Sequence, residues 1–199
     1  MASATSNNWA GYATSGGSQT SASTTFVIPT IKTCQANESS WAAFWAGLDG
    51  WGNNTVEQSG VDLNCNNGVR SYIPWYEVYP TAPVEISGMT VNPGDTMVAT
   101  DSYVSGTTYT LTLTDQTTSV TKTYNETAAG GTNYSAECIA EDQSGAPSES
   151  SYGSYTNYGS VTFSSCTTNG QPIGLSTSNP TLINTTNVNG TTATASSLT

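Results

Sequence analysis

Short runs in which apolar and polar residues alternate recur along the chain: ASTTFVI (22–28), VRSYIPWYEVY (69–79), TMVATDSYV (96–104), TTYTLTLTD (107–115) and SVTFSS (160–165). A period of two, in stretches rich in Thr, Val, Tyr and Ile, marks half-buried β-strands. Between these runs lie NPGD (92–95), Ser105-Gly106 and Gly130-Gly131, where Gly or Pro supplies the backbone angles that turns need. Strands at this spacing predict an all-β protein of antiparallel sheets, a sandwich or barrel. No stretch shows the apolar period of about 3.6 residues with caps, so any helix should be short. From about residue 176 the chain is rich in Thr, Ser and Asn with few large apolar side chains, which predicts an edge strand or frayed polypeptide.

The 199 residues, without linker or internal repeat, are expected to form one domain, 1–199, with 1–7 and roughly 190–199 poorly ordered. Met1 before ASATSNN reads as an expression start on a mature chain whose targeting segment has been removed. Charged residues make up 9% of the chain and apolar ones 35%, so uncharged hydroxyls and amides must keep the surface hydrated. The net charge is −11, and the basic side chains are Lys32, Arg70 and Lys122. Such a chain has no basic surface for nucleic acid. It suits an acid medium, because protonating its carboxylates leaves few cations to repel one another. No apolar run approaches a membrane span.

Cys34, Cys65, Cys138 and Cys166 lack CxxC spacing and are read as two disulfides formed in an oxidising compartment. Sequential pairing, Cys34 with Cys65 and Cys138 with Cys166, closes the shorter loops, although three pairings are open to four cysteines. Asn-X-Ser/Thr triplets at Asn37, Asn53, Asn125, Asn133, Asn184 and Asn189 mark where glycans could attach in a eukaryotic secretory host.

The chain contains no histidine, which excludes Ser-His-Asp and Cys-His catalysis and any metal site built on imidazole. No loop resembles an EF-hand, and neither metal nor cofactor is expected. Chemistry falls to carboxyls, amides and hydroxyls. Three stretches carry them: SWAAFWAGLDG (40–50) leading to VEQSGVD (56–62), YIPWYEVYP (72–80) and YSAECIAED (134–142). In a strand Trp75 and Glu77 share a face, as do Glu137, Ile139 and Glu141. A carboxylate among aromatic rings needs pairing or hydrogen bonds, whereas alternation alone leaves open that Glu77 and Glu137 simply face solvent.

WAGLDG, then Gln-x-Gly-x-Asp, then WYE-x-x-P, then AE-x-I-x-E, in this order, resembles the glutamic peptidases, or eqolisins, acid endopeptidases of fungi and some bacteria. The likeness runs from NWAGY near residue 8 to about residue 165. It implies a concanavalin-like jelly-roll sandwich of two antiparallel sheets, a catalytic Gln58–Glu137 dyad and insensitivity to pepstatin. It also implies that Trp45, Asp49, Asp62, Trp75 and Glu77 line or support the site. Protein or peptide substrates, secretion to the extracellular space and a monomeric state follow as expectations. Two departures stand out, Cys138 where the family usually has Trp after the glutamate, and Val78 where Trp often follows WYE; both are expected to reshape the cleft wall. The stretch between Asp49 and Gln58 also lacks a cysteine that some relatives carry there.

On this reading Glu137 takes a proton from water and returns it to the leaving amine, while the non-titrating amide of Gln58 orients water and holds the oxyanion. Ionisation of Glu137 in acid then requires a pKa near or below about 4.3, with Gln58 and the Trp45 indole as the expected donors. The rivals are a retaining glycoside hydrolase using Glu77 and Glu137, and a non-catalytic lectin-like module with sugar-stacking aromatics.

Overall fold

The computed structural model describes residues 1–142, 155–175, 179–186 and 192–195. Its strands are β1 (Ala2–Ser6), β2 (Trp9–Ser15), β3 (Ser21–Val27), β4 (Ser39–Leu48), β5 (Val56–Asn66), β6 (Val69–Tyr79), β7 (Val84–Glu85), β8 (Thr96–Ser105), β9 (Thr108–Asp115), β10 (Val120–Thr127), β11 (Ser135–Glu141), β12 (Ser164–Thr168), β13 (Gln171–Pro172), β14 (Asn179–Thr186) and β15 (Thr192–Ala193). The helical content among the described residues is a single 3-10 turn, Ile173–Leu175. Four of the five alternating runs coincide with β3, β6, β8 and β9. The fifth does not: residues 160–163 are irregular and pairing begins at Ser164, because Phe163 turns into the core against Phe26 and Phe44.

Two sheets lie face to face. The larger runs β1-β14-β2-β11-β4-β5-β6-β7, with β15 on β14, and the smaller runs β10-β9-β8-β3-β12-β13. Pairing is antiparallel throughout these ladders except between β1 and β14, which run parallel. The tail therefore contributes neither an edge nor a frayed end at 179–186. It inserts between β1 and β2, where Ile183 is fully buried. Ala2–Ser6 of the stretch 1–7 is strand; of 190–199, residues 190–191 and 196–199 lie outside the described residues.

The inter-sheet core holds Phe26, Phe44, Leu48, Val61, Leu63, Met97, Leu111 and Leu113. Both proposed bridges form, Cys34–Cys65 and Cys138–Cys166, the second joining β11 of the large sheet to β12 of the small one. The outer face of the small sheet shows how a chain so poor in charge stays hydrated. Ser23, Thr100, Thr112 and Thr123 stand in one register row across four strands, with Ser23 and Thr100 hydroxyls 2.8 Å apart and those of Thr112 and Thr123 3.2 Å apart. Hydroxyls do not titrate in the working range, so this surface is the same in acid and at neutrality.

Strand β4 gave no alternating signal because both of its faces are covered; it is buried from Ser40 to Leu48. On the face turned away from the core a second apolar cluster gathers Ala13, Trp41, Ala43, Trp45, Val56, Trp75, Ile139 and Ile183, with Trp9 and Trp51 packed against it. Trp9 meets Trp45 edge to face at 4.9 Å and lies parallel to Trp51 at 6.4 Å. This aromatic floor, not the core, carries the candidate site residues Trp45 and Trp75.

Candidate active site

One row of the large sheet reads Ala13, Glu137, Gly47, Gln58, Glu77 across β2, β11, β4, β5 and β6. Gln58 and Glu137 are two strand spacings apart, about 9.6 Å between Cα atoms, close enough for the two long side chains to approach over the strand between them. That strand offers no obstacle, because Gly47 stands there. A Cβ at Gly47 would come within 3.0 Å of the Trp45 ring and 3.1 Å of Gln58 Cβ. The next row down is Gly11, Ile139, Trp45, Gly60, Trp75, and the one below it Trp9, Glu141, Ala43, Asp62, Ile73. Every residue expected at the site except Asp49 falls in these three rows on one face; Asp49 sits at the end of β4.

Glu137 is on the outer face of its sheet yet fully buried, so it does not face solvent. Neither of its carboxylate oxygens, nor Gln58 Oε1, has a hydrogen-bond partner within the described protein. Burial pushes the Glu137 carboxyl well above its ordinary value; Ser135 and the Trp51 N–H pull the other way, and Asp49 and Glu57 add to the rise. The expected low pKa is thus corrected. The expected donors are corrected as well. Trp45 Nε1 donates to Glu141 Oε2 at 2.9 Å, and Gln58 Nε2 donates to Glu77 Oε2 at 2.5 Å. Register explains the second, since Glu77 is the direct neighbour of Gln58; Trp45 lies one same-face row from both glutamates of β11, and its indole turns to Glu141.

Asp49 supports rather than lines the site. It takes a positive φ of 66° at the end of β4 and is buried. Its Oδ2 accepts the N–H groups of Thr132 (2.7 Å) and Asn133 (2.9 Å), and its Oδ1 accepts Tyr134 N–H (2.7 Å) and Asn53 Nδ2 (2.6 Å). Burial would raise the Asp49 carboxyl, but these hydrogen bonds outweigh it and hold the group below its ordinary value. A single carboxylate thereby pins the turn from which β11 delivers Glu137. The same network occupies Asn53, whose Nδ2 also meets Thr132 Oγ1, and Asn133, whose Oδ1 accepts Tyr109 O–H.

Lower in the cleft Glu141 accepts from Trp45 and from Asn8 Nδ2 at 2.9 Å, and burial raises it to about 7. Asp62 is raised well above its ordinary value by burial, opposed by the indoles of Trp41 and Trp75 and reinforced by Glu141 and Glu77. The two departures from the family pattern lie on the opposite face. Cys138 packs with Tyr12, Cys166 and Ile173, and Val78 packs on the inter-sheet core, so neither forms the cleft wall that was expected of them. Sequence reading passed over Ser135, Trp9, Trp41 and Trp51, and the buried carboxyls Glu57 and Asp101, whose burial no local pattern reveals. Another groove lies beside β2 and the segment 155–166, lined by Tyr12, Tyr155, Tyr158 and Phe163, and no carboxyl of the described residues lines it.

The site sets an amide and a buried carboxyl on one aromatic face of a β-sandwich. The Peptidase A4 family model matches residues 7–199, and the chain belongs to that family of peptidases. It is 30% identical over 193 residues to aspergillopepsin-2 of Aspergillus niger, covering 85% of this chain and 67% of that protein. It is 31% identical over 140 residues to scytalidopepsin B of Scytalidium lignicola, covering 68% of this chain and 52% of that one. The chain thus spans about two thirds of the first relative and about half of the second. Among solved structures, scytalido-glutamic peptidase with a peptide-based transition-state analogue shares the fold, with a TM-score of 0.69 at 24% identity over 83% of this chain and 82% of that one. Aspergilloglutamic peptidase from Aspergillus niger matches at 31% identity with a TM-score of 0.55 over 66% and 79%.

Proposed function

We propose that this peptidase is a secreted, monomeric, pepstatin-insensitive endopeptidase that works on the acid side of neutrality through Gln58 and Glu137. The observation that carries it is the shared row. A buried carboxyl and an amide, each with an unpartnered oxygen, flank a glycine on one face of the sheet. In the ionised fraction Glu137 takes a proton from water as that water attacks the peptide carbonyl, and then passes it to the leaving nitrogen. Its raised pKa makes it the stronger base while lowering the fraction ionised in acid, so the balance is struck nearer neutrality than for an exposed glutamate. The Gln58 nitrogen has a second N–H beyond the one given to Glu77, and this one serves the oxyanion. Two disulfides suit an oxidising compartment, and among the described residues no helix is long and apolar enough to cross a membrane.

A glycosidase pairing of Glu77 with Glu137 is disfavoured by Gln58, which stands between them in the row and is bonded to Glu77. A binding module has no use for a buried, unpartnered carboxyl, which costs several kcal/mol to keep charged. Digestion of an acid-denatured protein, with and without pepstatin, tests the proposal: cleavage at internal bonds unaffected by pepstatin supports it. Inertness throughout the acid range, or full inhibition by pepstatin, refutes it.

A further inference from the structure

Ser135 opens β11 two residues before Glu137, so both side chains leave the same face of the strand. It is fully buried, and its Oγ accepts the Trp51 N–H at 3.1 Å. A hydroxyl that accepts still has one proton to give, to a protein group or to water. No acceptor for it appears among the hydrogen bonds of the described residues, and both oxygens of Glu137, on the same face, are unfilled.

We infer that Ser135 is a positioning residue for the catalytic base, relaying the Trp51 N–H through its hydroxyl to the Glu137 carboxylate. This rests on Glu137 being the base. The surroundings of Glu137 show why such a donor matters. Asp49 at the end of β4 and Glu57 on the core side of β5 act on it electrostatically, both acidic, with Glu141 further along its own strand. β2 contributes Ala13, and β4 contributes Gly47, beyond which stand Gln58 and Glu77. No cation is in this set. Ionised Glu137 therefore depends on neutral donors, and Ser135 stands two residues away on the same face of its strand. The relay also ties the base to the turn at 50–53, where Gly50 N–H donates to Asn53 Oδ1 and Asn53 in turn holds Asp49. The same turn that fixes the entry to β11 thus sets the charge of the residue that β11 carries.

The test compares the full-length wild type with Ser135→Ala, Ser135→Gly and Ser135→Thr, following kcat and KM against pH, with thermal midpoints as a check on folding. Loss of one hydrogen bond to a charged group is worth about 1.5–3 kcal/mol, or about one to two pH units. Ser135→Ala should lower kcat in acid about tenfold or more, leave KM within about twofold, and move the acid limb of kcat up by about one unit or more. Ser135→Gly should do the same, keeping the test open if the alanine variant folds poorly, and Ser135→Thr should bring the limb back towards wild type. A folded Ser135→Ala or Ser135→Gly variant with an unmoved limb overturns the inference, as does failure of a folded Ser135→Thr variant to restore it. Glu137→Gln run alongside separates the two claims. If it is inactive while the limb of Ser135→Ala stays put, the Ser135 relay alone falls; if it keeps normal turnover, the base assignment falls and the relay with it.

Discussion

Gln58 gives its side-chain N–H to Glu77, its direct cross-strand partner, and not to Glu137 on the far side of Gly47. A carboxylate only accepts, so it fixes which end of the amide turns towards β6 and which remains for the cleft. Glu77→Leu removes that constraint without adding a competing donor. It should lower kcat by about tenfold or more with little change in KM, since misplacement of a catalytic group by about 1 Å can cost as much as 10²-fold. Steady-state kinetics on one peptide substrate checks it; an unchanged kcat would mean that Gln58 needs no partner.

Gly47 separates the Gln58 and Glu137 side chains, and a methyl group there meets Trp45, Gln58 and the Glu57 carbonyl oxygen at 3.0–3.1 Å. Gly47→Ala should keep the fold, because those neighbours need give only a few tenths of an ångström, yet displace the amide. The expected result is a kcat loss of about 10-fold to 10²-fold at a nearly unchanged thermal midpoint. Equal losses of activity and stability would instead place the effect in the fold.

Asp49 satisfies three consecutive backbone N–H groups of the turn before β11. Asp49→Ala leaves them without an acceptor, each unpaired donor costing about 1–3 kcal/mol, so unfolding free energy should drop by about 3 kcal/mol or more. Denaturant unfolding measures it, and turnover should fall as well because the turn sets the start of the strand that carries Glu137.

Buried carboxyls dictate how stability varies with pH. Burial holds Glu57 at about 8 and Glu141 at about 7, against an ordinary value of 4.5, and raises Asp101, Asp62 and Glu137 too. The folded state therefore binds more protons than the unfolded chain between about pH 4.5 and 8. Their contribution is complete below the unfolded value and is lost as pH rises through the folded ones. Asp49 acts in the opposite sense, losing its contribution as pH falls through its depressed value, but it is one group against five. The thermal midpoint should fall steadily from about pH 4.5 to pH 8. A midpoint that climbs over that range would contradict the assignment.

Alternation revealed β3, β6, β8 and β9 because one face of each meets the core and the other meets solvent or the cleft. It was silent for β4, where a core face and an aromatic face are both apolar, and there the order of motifs supplied what periodicity withheld. The tail misled for a related reason. A strand of Asn, Thr and Pro around Leu182 and Ile183 is interior to the sheet because β1 and β2 pair with it, which no local composition shows. Among the candidate site residues the shared face was legible but the bonds were not: Trp45 serves Glu141, and Gln58 serves Glu77, its cross-strand neighbour. The period of two that puts Glu137 and Glu77 on one face also puts Cys138 and Val78 on the other, where they meet the core, away from the cleft.

The central claim is that Glu137 is the base and Gln58 the oxyanion donor, and turnover of Glu137→Gln beside Gln58→Ala at the wild-type optimum tests it most directly. Both variants should fold. Glu137→Gln should lose at least about 10²-fold in kcat, and Gln58→Ala about 10²–10³-fold, the cost of one oxyanion donor. Near-normal turnover by a folded form of either variant would contradict the dyad.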